Sequence, residues 1–276
     1  MKKVFAAASL MLLSICSLKA QFYYRDILSN KQLLAEMALY KENKVHTIKL
    51  RSFEGDGSES DGFFCEKRIS RDFKKTEFFT NSNVSGTSLF TSWFDEKGRL
   101  KQTNDSSAIS VSTNTYTYDE AGRIRSILSS IKSSDDDFTN EILEEHIYEY
   151  NNMNLPAKMI RVKNKFDSTT ILFQADEHNN ISIEKDTRTA GKYYYYYDAE
   201  NRLTDIVHYN EYKQKLLPDY IFEYNAANQL SQMTSTEEGG SDYYIWRYSY
   251  ENGLRTKEKC LSKEKTLMGT IEYEYK

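Results

Sequence analysis

Aromatic and polar residues alternate with a period of two along much of the chain. The alternating segments are Tyr116-Thr117-Tyr118, Tyr148-Glu149-Tyr150, Phe222-Glu223-Tyr224, Tyr248-Ser249-Tyr250 and Tyr273-Glu274-Tyr275. This period is typical of β-strands that bury one face, here a face rich in tyrosine. We interpret that face as the packed side of a sheet, with an exposed aromatic platform as the alternative.

Several of these strands run directly into a recurring turn pattern. An acidic or amide residue opens the pattern, and a Gly or Asn follows three positions later. The opening residues are Asp95, Asp119, Asn151, Asp176, Asp198 and Asn225, and the later ones are Gly98, Gly122, Asn154, Asn179, Asn201 and Asn228. Asp and Asn accept hydrogen bonds from their own backbone in tight turns, and Gly and Asn tolerate positive φ. The pattern therefore predicts a series of β-hairpins.

The opening residues of successive turns are separated by 24, 32, 25, 22 and 27 positions. Steps this uneven argue against identical rungs and against a regular closed barrel. We predict an all-β fold with one N-terminal helix, in which tandem antiparallel β-hairpin repeats form a long twisted or curled sheet. The expected array covers 91–276, after a region of loop and irregular strands at 53–90.

The turn segments resemble the YD repeat of the RHS family, in which Tyr-Asp is followed by Gly-Arg-Leu. The closest copies are Tyr118-Asp119-Glu120-Ala121-Gly122-Arg123-Ile124 and Tyr197-Asp198 with Asn201-Arg202-Leu203. The resemblance implies a long twisted sheet, which in large members wraps into a shell around a toxin. This chain lacks their Asp-Pro motif and toxin-like tail, so it resembles a short, free-standing relative.

An amphipathic segment precedes the hairpins. Leucine, methionine and alanine recur within 30–41 after a cap candidate at Ser29 or Asn30, which predicts a helix. We expect residues 21–52, with this helix and a first strand, to cover an open end of the sheet.

The first 20 residues have the layout of a secretory signal peptide, with Lys2 and Lys3 before an apolar stretch and cleavage expected after Ala20. This predicts a secreted, periplasmic or cell-surface protein of bacterial type, with no integral membrane segment after signal removal. Lipidation at Cys16 is the alternative, although Ile15 stands where a small residue is needed. Export permits a disulfide, but an open sheet would hold Cys65 and Cys260 about 50 Å apart, so we expect free thiols.

Composition and motifs narrow the function classes. The net charge of −4 argues against a nucleic-acid partner. Phosphate-binding loops, nucleophile elbows and metal-ligand spacings are missing from the sequence, so we predict no catalytic residues, cofactor or metal. Residues 56–62 resemble a calcium loop but lack its central Gly and terminal Glu.

We therefore expect a non-enzymatic structural or protein-interaction scaffold of the cell envelope with a protein or glycan partner. The alternative is a carbohydrate-binding module that uses the aromatic face of the sheet. Its expected ligand platform is formed by Trp93, Tyr195, Tyr197 and Trp246.

Overall fold

The computed structural model describes residues 22–83, 85–134, 141–210, 213–237 and 242–276. The predicted signal peptide and Cys16 lie outside these residues. The described chain forms one helix, α1 (Arg25–Glu42), and a sheet of eighteen strands. The strands are β1 (Thr47–Glu54), β2 (Phe64–Ile69), β3 (Lys75–Ser82), β4 (Gly86–Phe94), β5 (Leu100–Ser107), β6 (Ser110–Tyr118), β7 (Ile124–Ser133), β8 (Ile142–Tyr150), β9 (Pro156–Lys163), β10 (Asp167–Ala175), β11 (Ile181–Asp186), β12 (Lys192–Tyr197), β13 (Leu203–Asn210), β14 (Lys215–Tyr224), β15 (Leu230–Thr236), β16 (Tyr243–Glu251), β17 (Leu254–Leu261) and β18 (Leu267–Tyr275).

The sheet closes on itself. Each strand pairs antiparallel with the next along the chain, and the last strand returns to the first, with Ile48 opposite Tyr275 and Leu50 opposite Tyr273. The predicted open or partly curled sheet is therefore wrong: the fold is a closed barrel. Each hairpin adds two strands whatever the length of its loop, so uneven spacing in the sequence does not prevent closure. The strands β2, β3 and β4, expected to be irregular, pair regularly within the same barrel.

The two ends of the barrel differ. At one end, called here the turn end, lie the connections that follow β4, β6, β8, β10, β12 and β14, each containing one of the predicted turns. At the opposite end, called the loop end, lie the connections that follow the odd-numbered strands, and these vary in length. This difference accounts for the uneven steps between turns.

The predicted turn positions share one geometry. Asp119 Oδ1 accepts a hydrogen bond from the backbone N–H of Arg123, and the N–H of Gly122 donates to the carbonyl of Asp119. The Gly or Asn at the fourth position of the turn has positive φ in all six copies. The values are 75° at Gly98, 80° at Gly122, 64° at Asn154, 64° at Asn179, 59° at Asn201 and 60° at Asn228. The opening Asp95, Asn151, Asp176, Asp198 and Asn225 accept the equivalent backbone hydrogen bonds.

Tyrosine hydroxyls join each hairpin to its neighbour. Tyr118 donates to the carbonyl of Leu100 at 2.7 Å, across from the turn of the preceding hairpin. The same bond is made by Tyr150 to Ile124, Tyr197 to Ile181, Tyr224 to Leu203, Tyr250 to Leu230 and Tyr275 to Arg255. At the equivalent position of β10, Ala175 has no hydroxyl. The repeated tyrosine therefore serves as apolar packing surface and as a fixed link between hairpins.

Arginine completes the repeated turn in three copies. Arg123 donates from Nε to Asp119 at 2.7 Å, and its guanidinium lies 4.4 Å from the ring centroid of Tyr150. Arg99 and Arg202 bind Asp95 and Asp198 in the same way and lie over the rings of Tyr118 and Tyr224. A stacked arginine covers the ring while its charge is neutralised.

Helix α1 lies inside the barrel. Its N-terminal end packs with residues of β7, β8, β10 and β12, whereas Met37 and Tyr40 pack with Ile48 of β1 and Tyr275 of β18. These contacts place α1 against the inner face of the closed sheet, while Lys31, Ala35 and Ala38 on its other side are exposed. The expectation that the helix covers an open sheet edge is therefore wrong. Among the described residues, no helix is both long and apolar enough to cross a membrane.

The cysteines are free thiols, for a reason other than the one expected. Cys65 on β2 and Cys260 on β17 are separated by two intervening strands and offset by four residues along them, which places them about 20 Å apart rather than about 50 Å. This still exceeds the separation of about 7 Å that a disulfide allows. Burial raises the pKa of each thiol to about 12.

We predict that Gly122→Val destabilises the barrel by about 1–3 kcal/mol, because a β-branched residue is strained at positive φ. A Cβ at this glycine meets no heavy atom within 4 Å, so the effect is backbone strain rather than a clash. Ala121→Val in the same turn is the matched control and should leave the melting temperature nearly unchanged. Equal melting temperatures for the two variants would contradict this account of the turn.

Candidate functional site

A buried carboxylate holds the start of α1. Glu184 on β11 is 3% exposed and accepts hydrogen bonds from the backbone N–H groups of Tyr23 and Tyr24, each at 2.8 Å. The hydroxyl of Tyr195 donates to the same carboxyl at 2.8 Å. Burial raises the pKa of Glu184 to about 7, although these three donors act in the opposite direction. The strand wall thus supplies the acceptor that the first backbone groups of the helix need.

A second polar cluster lies beside the first. Asp26, in the first turn of α1, accepts hydrogen bonds from Tyr148 at 2.8 Å and from Nδ1 of His146 at 2.6 Å. The other ring nitrogen of His146 lies 2.9 Å from Glu144. Burial would lower the pKa of His146, but the two carboxylates outweigh it and raise the pKa to about 9. The imidazolium is therefore the stable form at neutral pH, bridging the helix and β8.

These clusters are suited to anchoring rather than to acid–base chemistry. A general base needs a pKa near neutrality and a path to a substrate. His146 is held as a cation between two carboxylates, and both carboxyl oxygens of Glu184 already accept hydrogen bonds, from the backbone of Tyr23 and Tyr24 just before α1 and from Tyr195 of β12. Among the described residues, no group of His, Cys, Asp and Glu is placed to hold a metal ion. We therefore interpret the clusters as the attachment of the helix to the barrel wall.

The predicted platform residues do not share an exposed face. Tyr195 and Trp246 are buried, 2% and 8% exposed, and the hydroxyl of Tyr197 bonds to the carbonyl of Ile181 inside the wall. Trp93 follows the buried Ser92 on β4 and lies on the opposite, outer face. The prediction that these four residues form an exposed platform is therefore wrong.

An open groove lies on the outer wall near the turn end. Its volume is about 520 Å³, and its walls include Tyr194, Tyr196, Asn180 and Asp198. The ring of Tyr196 is 47% exposed. Because side chains alternate across a strand, these even-numbered tyrosines face outward where Tyr195 and Tyr197 face inward. The groove combines exposed aromatic rings with amide and carboxylate groups from two neighbouring turns.

Exposed apolar side chains concentrate at the loop end. Phe166 is 88% exposed and Ile109 is 78% exposed, both in connections at this end. Four further large apolar side chains lie on the same rim and are more than 40% exposed; they are Phe64, Ile142, Tyr209 and Leu216. At the turn end, the corresponding exposed residues among those described are Met153, at 62%, and Tyr196, at 47%. We call the six residues the apolar rim.

Basic residues flank one sector of the apolar rim. Lys163 ends β9, and Lys165 lies in the connection that follows, next to Phe166. Arg188 and Lys192 lie at the next connection on this end, and Lys215 adjoins Leu216. Arg188 is paired with Asp167 at 2.5 Å. The sector is thus basic on a chain whose net charge is −4.

No family model matches the chain, and no curated protein does. Among solved structures, the chain is similar to a porin-like protein from Bacteroides uniformis ATCC 8492, with 9% identity, 84% of this chain and 98% of that chain covered, and a TM-score of 0.40. A porin-like protein from Bacteroides vulgatus ATCC 8482 gives 12% identity, 84% and 98% coverage, and a TM-score of 0.28. The TcdB2-TccC3-Cdc42 structure gives 11% identity, 86% of this chain but 17% of that chain, and a TM-score of 0.26. Likenesses this weak assign neither a family nor an activity.

The expectation of an extended sheet of YD or RHS-like repeats is wrong, because the hairpins form a closed barrel. No family model supports membership of that family. The turn chemistry remains as a local property of the hairpins, since Asp, Gly and Arg at these positions satisfy the same backbone and side-chain contacts in each copy.

Sequence reasoning missed the anchoring residues and the apolar rim. His146 and Glu184 stand on strand arms without any spacing that marks a site, and their partners in α1 lie 120 and about 160 positions away. Phe166 follows Asn164 and Lys165 in a short polar connection between two strands. Phe166 could have been found in the sequence as an apolar residue at the tip of a polar hairpin loop.

We predict that Glu184 makes the barrel less stable as pH rises from about 4.5 to about 7. In this range the folded state keeps a proton on Glu184, whereas the unfolded chain, with a pKa near 4.5, has released it. The difference is about 3 kcal/mol in the free energy of unfolding. Urea denaturation should show that Glu184→Gln removes this decline. Exposed Glu149→Gln is the control, and an unchanged pH dependence in Glu184→Gln would refute the assignment. His146 also makes the barrel less stable as pH rises, in its case between about 6.5 and 9.

Proposed function

We propose that this chain is an exported, non-enzymatic scaffold of the cell envelope that binds a partner protein through the apolar rim. The observation that carries this proposal is the concentration of exposed large apolar side chains at one end of the barrel. Clusters of exposed apolar side chains mark interaction sites, and Tyr209 and Leu216 lie directly opposite each other on β13 and β14. The location in the envelope rests on the signal-peptide pattern of residues 1–20.

The basic sector indicates the charge of the partner. Lys163 and Lys165 lie close to Phe166 along the chain and Lys215 adjoins Leu216, so an acidic surface with an apolar pocket complements this part of the rim. An exposed aromatic side chain near cations is a suitable anchor, because aromatic residues carry much of the binding energy at protein interfaces. The clusters around Glu184 and His146 keep the helix inside the barrel and leave the outer surfaces for binding.

We predict that Phe166→Ser reduces recovery of the partner about tenfold, corresponding to about 1.4 kcal/mol. The exported protein would be crosslinked in intact cells, purified, and its attached proteins quantified by mass spectrometry. Met153→Ser removes an exposed apolar side chain from the opposite end and serves as the matched control. Equal recovery with both variants, or no specific partner with the wild type, would refute binding through the rim.

The outer groove favours carbohydrate binding as a second candidate. Sugars stack on exposed aromatic rings and bond to amide and carboxylate groups, and the groove combines Tyr194 and Tyr196 with Asn180 and Asp198. The residues differ from those expected from the sequence, since the inward tyrosines of β12 are occupied in the barrel interior.

We predict that Tyr196→Ala abolishes binding on a glycan array if the groove is a sugar site. Tyr209→Ala is the matched control, because Tyr209 is 48% exposed but lies at the loop end. A folded wild-type protein that binds no glycan on the array would exclude this second function.

A further inference from the structure

The barrel interior contains a cavity on the side away from the Glu184 and His146 clusters. Its volume is about 210 Å³. Leu33 and Tyr40 of α1 form one wall, and Ile48, Phe78 and Phe90 of β1, β3 and β4 face them. The cavity is partly open to solvent, so a small molecule can enter it from outside. A cavity of about 150 Å³ accommodates benzene, and this one is larger.

A buried hydroxyl in the wall lacks a partner. Ser92 of β4 is 1% exposed and lines the cavity, and its Oγ has no hydrogen-bond partner among the described residues. A buried polar atom without a partner is unfavourable, and such atoms are normally satisfied by protein, water or ligand. The cavity wall therefore offers a buried hydroxyl for a hydrogen bond, and the charged side chains of Lys67, Glu36 and Arg255 line the same cavity.

A cation stands at another point of the same wall. The ammonium of Lys67 lies 5.5 Å from the ring centroids of both Tyr40 and Phe78, and all three residues line the cavity. The adjacent Glu66 faces the outer side of the strand and pairs there with Lys49 and Arg68. Glu36, the acidic residue of α1 in the cavity wall, accepts a hydrogen bond from Gln32. An ammonium among aromatic rings favours an anionic group nearby.

We infer that this cavity is a binding site for a small amphipathic molecule with an apolar body and a single carboxylate. The body occupies the space between α1 and β1, β3 and β4, and the carboxylate binds the ammonium of Lys67. Ser92 supplies a further hydrogen bond in the wall. This site is separate from the apolar rim and the outer groove, so its test does not depend on the proposed function.

A pair of probes that differ only in charge tests the site. We expect isothermal titration calorimetry of the exported protein to show 3-phenylpropionate binding at least about tenfold more tightly than 3-phenylpropan-1-ol. Lys67→Met should bring the two affinities together by weakening the acid and not the alcohol. Lys49→Met removes a lysine from the outer face of the adjacent strand and should leave both affinities unchanged.

Ser92→Leu tests the location, because the larger side chain fills the cavity and should weaken both probes at least about tenfold. Circular dichroism and the melting temperature establish that each variant is folded. If Ser92→Leu does not fold, Lys67→Met still decides the proposal. Equal affinity of the wild type for acid and alcohol, no binding of either, or an unchanged ratio in Lys67→Met would each overturn it.

Discussion

The structure depends on a helix that fills a barrel too wide to be filled by its own strands. Side chains pack the interior of barrels with about eight strands, but barrels of sixteen or more leave open space. In this chain α1 lies in that space; Tyr23, just before the helix, contacts one wall, and Met37 and Tyr40 contact the opposite wall. The inward tyrosines reach the helix because their rings are large, and their hydroxyls still find acceptors on neighbouring strands. Helix and wall thus form one core.

A helix packed inside a sheet starts with buried backbone N–H groups that need acceptors. Side chains far away in the sequence supply acceptors at this end of the chain. The first backbone N–H groups of a helix lack partners within the helix. Glu184 accepts from two residues at this end, and His146 bridges Asp26 to Glu144. A buried carboxylate near a helix start is favoured by the helix dipole, which offsets part of the cost of burial. The polar clusters therefore fix where the helix sits, and the apolar contacts hold it there.

Local features of this fold were predictable from sequence, and global features were not. The turns are local, since Asp119 and Gly122 satisfy requirements within five residues. Closure depends on β1 meeting β18, and no pattern in either strand identifies its partner. Tyr193 to Tyr197 form an unbroken aromatic run, so periodicity could not decide which tyrosines face inward. The helix begins at Arg25 rather than near Asn30. Glu184 binds the backbone of Tyr23 and Tyr24 just before it, and Asn30 instead bonds to Tyr118 within the barrel.

Closure of the barrel makes the hairpins depend on one another for stability. In an open repeat array each repeat contacts its neighbours alone, so stability is nearly a sum of local terms and parts can fold independently. Here Tyr23 bonds to Glu184 across 161 positions, and Ile48 pairs with Tyr275 at the other end of the described chain. These contacts join the first strand to the last, and the segment before the helix to the middle of the chain. Hairpins that look alike in sequence are therefore coupled into one cooperative unit, whose core would be exposed if any sector of the wall opened.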